Sequence, residues 1–142
     1  MVRFRMFRIH VEQFAVLAES ITFEKDGLPI DLETRLSFKG AKDKKVAPIV
    51  RFSFVKDQQP LMLIEVCCEF DIHPDDWKEM LHDDTLVVSK ETLEYIASQT
   101  VGVTRGILHC KTEGTPFNVF ILPPINVASM IEGDLNIDFK ED

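Results

Sequence analysis

"FILPPINVASM", residues 120–130, poses the problem of this fold. Phe120, Ile121 and Leu122 run into Pro123-Pro124, and an Ile-Asn step leads to what reads as a fresh helical start. Pro124 biases Pro123 away from helical backbone, and the Asn126 side chain is able to cap a turn beginning at Val127. Gly133 closes that turn, so it is short. A corner this stiff has to be holding a segment against something upstream.

Upstream, Gly114 ends a helix, and "PFNVFIL" (116–122) reads as extended chain leading into the corner. The helix itself starts at Ser89, a good N-cap, and runs to about Lys111. Its apolar stripe is Leu93, Ile96, Ala97, Thr100, Thr104, Ile107 and Leu108. Gly102 and Gly106 lie inside it and each costs about 1 kcal/mol of helix stability relative to alanine. With Ser98 they form a groove of small residues at i, i+4 and i+8, which lets another backbone come close. Packing on the protein's own sheet and contact with another subunit both account for such a groove. Before this helix, "HPDDWKEML" (73–81) opens with Pro74 and two aspartates, good first-turn chemistry, and carries an apolar face of Trp77, Met80 and Leu81.

The first half has the period of strands. In "RFRMFRIHVEQF" (3–14), Phe7, Ile9 and Val11 share one side and Arg8, His10 and Glu12 the other. Phe4 and Met6 belong to the opposite phase, which predicts a bulge near Met6-Phe7. "KDGLP" (25–29) is a turn signal. "DLETRLSFK" (31–39) alternates, "GAKDKK" (40–45) reads as a polar loop and "PIVRFSFV" (48–55) as a third strand. "DQQP" (57–60) turns the chain into "LMLIEVCCEFDI" (61–72), where Ile64, Val66, Cys68, Phe70 and Ile72 share a face. Short polar connections predict an α+β fold with a four-stranded antiparallel, meander-like sheet, one face buried and one wet. A crossover, one long helix and a short C-terminal helix then pack on one face. The 142 residues suit one domain spanning 1–142, in which the alternation of Leu135, Ile137 and Phe139 marks 132–142 as an extra edge strand or a flexible tail.

Composition narrows the function. A chain 45% hydrophobic and 28% charged is ordinary for a soluble globular protein. No apolar run approaches the roughly 18–20 residues of a membrane span, and the charged N-terminus is not a secretory signal. A cytoplasmic location is expected. Residues 1–70 carry 11 Lys/Arg against 10 Asp/Glu, whereas residues 71–142 carry 5 against 14. That acidic second half argues against nucleic acid. Cys67, Cys68 and Cys110 do not make a disulfide framework, and neighbours in a strand point to opposite faces, so Cys67 and Cys68 would not share a metal. His73 and His82 lie near aspartates and read as loop caps rather than ligands. There is no phosphate loop, HExxH, paired CxxC or G-x-S-x-G, so no enzyme activity and no cofactor are expected. Eleven Phe, five Met and one Trp are many large side chains, and their density at 70–81 and 117–130 predicts exposed apolar patches of the kind that mark binding sites.

The order of these elements resembles the SecB export-chaperone family. The carriers are "VRFSFV" and "LMLIEVCCEF" within 50–70, similar to that family's third and fourth strands with their Glu-Val pair at Glu65-Val66. "GTPFNVFILPPINV" (114–127) resembles its Gly-x-x-Pro-x-x-x-Leu-x-Pro-Val-Asn-Phe segment, with Leu122, Pro124, Ile125 and Asn126 in the matching places. The resemblance implies an ATP-independent holdase, a homotetramer built as a dimer of dimers, holding unfolded or pre-secretory polypeptides in hydrophobic grooves between sheet, crossover and final helix. The groove positions here would be Phe70, Trp77, Met80, Leu81, Phe120, Ile125 and Met130. The small-residue face Ser98, Gly102 and Gly106 would serve subunit contact.

Three departures from the family pattern bear on partners. The final helix is cut short by Gly133, and residues 132–142 hold no Cys or His for the zinc site many members carry in their tail. "CCEF" stands where glycines usually follow the Glu-Val pair. The acidic first-strand positions that grip the translocase motor SecA align with Gln13 and Leu17, leaving Glu65 as the one matching contact. Engagement of SecA therefore does not follow from the resemblance. A chaperone dedicated to one client, such as an antitoxin, suits these departures. A small-molecule binder or enzyme using the sheet-helix cavity and a purely structural assembly subunit are readings from other classes.

Overall fold

A computed structural model describes residues 2–18 and 30–139. The turn expected at 25–29 lies outside the described residues. Strand β1 spans Phe4–Val16, β2 Asp31–Ala41, β3 Lys45–Lys56 and β4 Gln59–Ile72. Helix α1 is Pro74–Met80, followed by the short strands β5 (Leu81–His82) and β6 (Thr85–Val88), then helix α2 (Lys90–Thr112). Two single 3-10 turns, Pro116–Val119 and Val127–Met130, precede strand β7, Leu135–Asp138.

The main sheet is antiparallel with strand order β1-β4-β3-β2. The meander holds for β2, β3 and β4, but β1 lies beside β4 rather than β2, a placement alternation along one strand cannot reveal. The loops between β2, β3 and β4 are tight because their residues accept left-handed backbone. Asp57 and Gln58 (φ 51° and 66°) make the two-residue turn between Lys56 and Gln59, and Lys44 (φ 69°) closes the three-residue turn between Ala41 and Lys45. The stretch 40–45 is thus shorter as a loop than its polarity suggests. Gly40 and Ala41 still belong to β2, and Lys45 already belongs to β3.

The bulge expected near Met6-Phe7 is present as a register shift between Met6 and Arg8, and a second lies between Val11 and Gln13. Opposed residues share a face, so the pairs Phe4–Ile72, Met6–Phe70, Ile9–Cys68 and Val11–Val66 place the apolar residues of β1 on the core side. Phe7, in the bulge, is exposed. The other face is only partly wet. Glu65 and Asp71 of β4 lie between polar or basic neighbours on both flanking strands and Glu69 lies opposite Arg8 of β1, yet Leu63 and Cys67 on that face are buried.

Helix α2 lies on β3 and β4. Its stripe is buried as expected at Leu93, Ile96, Ala97, Thr100, Thr104 and Leu108, against Phe52, Met62, Ile64 and Val66 of the sheet. Each large side chain buried here contributes about 1.5–3 kcal/mol before entropy is counted. The Ser89 side chain accepts from Thr92 N at 3.2 Å and starts the helix. At the other end Gly114 takes φ +78°, the left-handed step that releases a chain from a helix.

Three local expectations are revised. Residues 116–119 are a 3-10 turn rather than extended chain, because Pro116 presets the first turn and Thr115 Oγ1 accepts from Phe117 N. Asn126 makes no side-chain cap; its carbonyl instead accepts from Ser129 Oγ at 2.8 Å, and the turn ends at Met130, before Gly133. Residues 81–88 are not a simple connection: they form the β5–β6 hairpin, turned at Asp83 (φ 57°), and β7 pairs with β6 to complete a second sheet of three strands.

Candidate functional site

The proline corner is held from the helix. Arg105 on α2 donates from Nε to the Leu122 carbonyl and from Nη2 to the Pro123 carbonyl, both at 2.9 Å. Two successive prolines leave this stretch short of backbone donors. One guanidinium fork satisfies two adjacent carbonyls and fixes their plane. Phe120 is buried against Phe54 of β3, with ring centroids 5.0 Å apart, and the Phe117 ring centroid lies 6.2 Å from that of Phe120. Leu122 and Val127 are buried as well, whereas Val119 and Ile121 are 54% and 64% exposed. The corner thus pins alternate residues inward and presents the intervening aliphatic ones to solvent. Beside it opens a cleft of about 350 Å³ lined by Ser98, Val101, Arg105, Pro124, Ile125 and Val127.

Two further clefts flank α1. One, of about 260 Å³, lies between the N-terminal segment, one side of α1 and the start of α2, with Val2, Phe4, Met80 and Tyr95 in its apolar lining and Glu79 and Glu91 among its charges. Arg3 ties this corner together, donating from its backbone N (2.8 Å) and Nε (3.0 Å) to Asp76 Oδ2. These bonds from Arg3 hold the Asp76 carboxyl below its ordinary value. The other, of about 210 Å³, is bounded by Lys42, Trp77, Leu81, Asp83, Asp84 and Phe139. There the Phe139 ring stacks on Trp77 with centroids 6.2 Å apart.

The residues expected to line one client groove are therefore distributed. Phe70 is at the centre of the core, 2% exposed, and Phe120, Trp77 and Met80 are also buried in this chain. Leu81, Ile125 and Met130 are half-buried. Ile125 shares its cleft with Ser98, joining two expectations that the sequence kept apart. Ser98, Gly102 and Gly106 lie on the exposed side of α2, and a methyl group built on either glycine meets nothing within 4 Å. The small-residue groove does not pack on the protein's own sheet. Glu65 is half-buried on the outer sheet face between Gln13 and Arg51, which are themselves joined by an Nη1 to Oε1 bond of 3.4 Å.

Sequence reading missed Arg105, which holds both corner carbonyls, because a lone arginine on a helix carries no pattern. It also missed Gly40, taken as loop. A methyl group on Gly40 would come within 2.8 Å of Ile137 Cδ1, so the absent side chain is what seats β7.

Polar chemistry in the interior is sparse. Among the described residues the buried polar side chains are four threonines. Thr100, Thr104 and Thr112 donate to carbonyls four residues back in α2, and Thr92 accepts from Ser89 Oγ. Burial pushes the Cys67 thiol up to about 11 and raises Cys68 as well, and both side chains are buried. His73 Nδ1 accepts from Asp75 N at 3.2 Å and caps α1. Among the described residues no group of three or more His, Cys, Asp or Glu is placed to hold a metal ion, and no helix is long and apolar enough to cross a membrane.

No protein-family model matches the chain, and no curated protein matches it. Among solved structures it is similar to the Mycobacterium tuberculosis SecB-like chaperone Rv1957, solved in complex with a ChAD peptide from the HigA1 antitoxin Rv1956. That likeness has a TM-score of 0.50 at 18% identity and covers 88% of this chain and 90% of that one. A protein of unknown function from Streptococcus agalactiae is a weaker likeness, with a TM-score of 0.40 at 13% identity over 80% of this chain and 90% of that one. The four-stranded antiparallel sheet and the helices of this chain are a SecB-like fold.

Proposed function

We propose that this protein is an ATP-independent, non-enzymatic holdase that binds unfolded polypeptide along apolar surface beside the proline corner. The observation that carries this reading is the corner itself. Val119 and Ile121 are presented to solvent by a segment whose alternate residues, Phe120 and Leu122, are locked into the core and whose carbonyls are clamped by Arg105. Rigid presentation of aliphatic side chains avoids the ordering cost that a mobile loop would add on binding. Each client side chain covered there gains at most about 1.5–3 kcal/mol, so one patch is weak and several copies are needed for retention.

Assembly as a homotetramer, a dimer of dimers in the cytoplasm, belongs to the same proposal. Two surfaces support it. Ile9 and Val11 lie on the core side of β1 yet are exposed, since α2 covers β3 and β4. Gly102 and Gly106 on α2 likewise face open space, with nothing among the described residues within 4 Å of a methyl group built on either. The antitoxin peptide held by the structural neighbour favours a version of the reading in which one client is dedicated. Engagement of SecA is left out of the proposal.

The test is light scattering from a slowly refolding protein with and without this one, together with solution mass. Suppression of aggregation at stoichiometric ratio by a tetramer, without ATP, is the expected result. A monomer that leaves aggregation unchanged would sink the general holdase and leave only a dedicated partner to be sought.

A further inference from the structure

Strand β7 is an extended segment already seated in an apolar trough. It pairs with β6 through Thr85–Asp138, Leu86–Ile137, Val87–Asn136 and Val88–Leu135. Its alternate residues face the body of the protein. Ile137 occupies the space left by the missing side chain of Gly40 on β2, and the Phe139 ring reaches within 3.4 Å of that same position while stacking on Trp77. Polar ties help fix its ends: Lys90 N donates to Asp134 Oδ1 at 2.8 Å, and Phe139 N donates to the Asp84 carbonyl at 2.8 Å.

The hold is light for a strand. β7 has four residues, pairs on one side only, and leaves Leu135, Ile137 and Phe139 half-buried. Strand addition of this kind uses backbone hydrogen bonds that any sequence can make, with pockets reading every second side chain. The β6 edge, the Gly40 notch and the Trp77 face together hold an extended segment, β7, with large apolar residues at alternate positions. This is the chemistry of a segment of unfolded polypeptide.

We propose that this trough is a client-binding site and that β7 is its tethered internal occupant, displaced when an extended client segment with alternating large apolar residues enters. The proposal rests on the holdase reading and deepens it. A tethered occupant lowers the apparent affinity for clients by the fraction of time the trough is open, so releasing it raises that affinity.

Trp77 is the chain's single tryptophan and reports on its own stacking partner. The experiment uses full-length protein carrying Ile137→Ser and Phe139→Ala, which release the tail, and a synthetic peptide with the natural sequence of residues 133–142. Peptide binding is read from Trp77 emission. The released variant should bind the peptide about tenfold or more tightly than the natural protein, and a peptide with its Ile and Phe moved by one position should not bind. Adding Gly40→Val to the released variant should abolish binding, with the far-ultraviolet circular dichroism unchanged. Phe139→Ala alone, the milder change, should give an intermediate gain if the double variant does not fold.

Equal affinity in natural and released proteins, or binding indifferent to Gly40→Val, would overturn the proposal. The aggregation assay on the same proteins separates the two readings. Unchanged suppression with no gain in peptide affinity removes the trough and leaves the holdase. Peptide binding without any suppression removes the client role and leaves a dock for the tail alone.

Discussion

Arg105 shows how much one side chain can decide. Its two bonds to the Leu122 and Pro123 carbonyls are charge-assisted and partly sheltered, and nothing else seen in this segment replaces them. Arg105→Ala should lower stability by about 1–3 kcal/mol, since it removes both bonds and strands two carbonyls. Arg105→Lys should recover only part of that, because an ammonium is a point charge and not a planar fork. Urea midpoints measure the loss, and hydrogen exchange at Val127 and Ser129 should rise in both variants. An unchanged midpoint in Arg105→Ala would mean the prolines hold the corner unaided. Asp76 makes a second prediction at this scale. Arg3 lowers its folded value, so its stabilising effect is complete above the ordinary aspartate value of about 4 and is lost as pH falls through the depressed folded value. Asp76→Asn should therefore flatten the acid limb of the stability curve and leave its shape near neutral pH unaltered.

At the scale of elements, helix α2 was legible in the sequence from end to end because it depends on local terms. Ser89 caps, the apolar stripe has helical period, and Gly114 turns left-handed. Ser89→Ala should cost about 1 kcal/mol, seen as a shifted urea midpoint with an unchanged slope. The four strands of the main sheet were legible for the same reason, down to the bulge at Phe7, although the ends of β2 and β3 reach into the expected loop at 40–45. What escaped was set by distant partners. The β5–β6 hairpin is too short for periodicity to speak, with two and four residues, and it exists because β7 arrives from the far end of the chain to pair with it. The 3-10 turn at 116–119 hides inside a run that alternates well enough to look extended. Of the candidate site, the corner's place in the chain could be read, but its clamp could not. Trp77, Met80 and Phe120 were visible as apolar residues, while their burial depends on which surfaces the fold brings over them.

At the scale of the whole molecule the question is what covers the outer side of α2. Glycine inside a helix is costly, and neither Gly102 nor Gly106 is required by contacts with the described residues, since a methyl group on either meets nothing among them within 4 Å. Taken alone, the chain should therefore gain from their replacement by a better helix former, by up to about 1 kcal/mol each. Gly102→Arg and Gly106→Arg separate the two consequences. Arginine is a strong helix former, so the thermal stability of the isolated chain should hold or rise. If the face is packed closely against another copy, the same side chains cannot be accommodated and the solution mass should fall to that of a smaller species. Light scattering coupled to size exclusion reads the mass, and thermal unfolding followed at the helix signal reads the fold. Loss of assembly with a stable helix would assign the glycines to the subunit interface and explain a destabilising choice of residue by what it admits. Retained mass with raised stability would free this face of α2 for the client instead, placing it in line with the Ser98–Ile125 cleft.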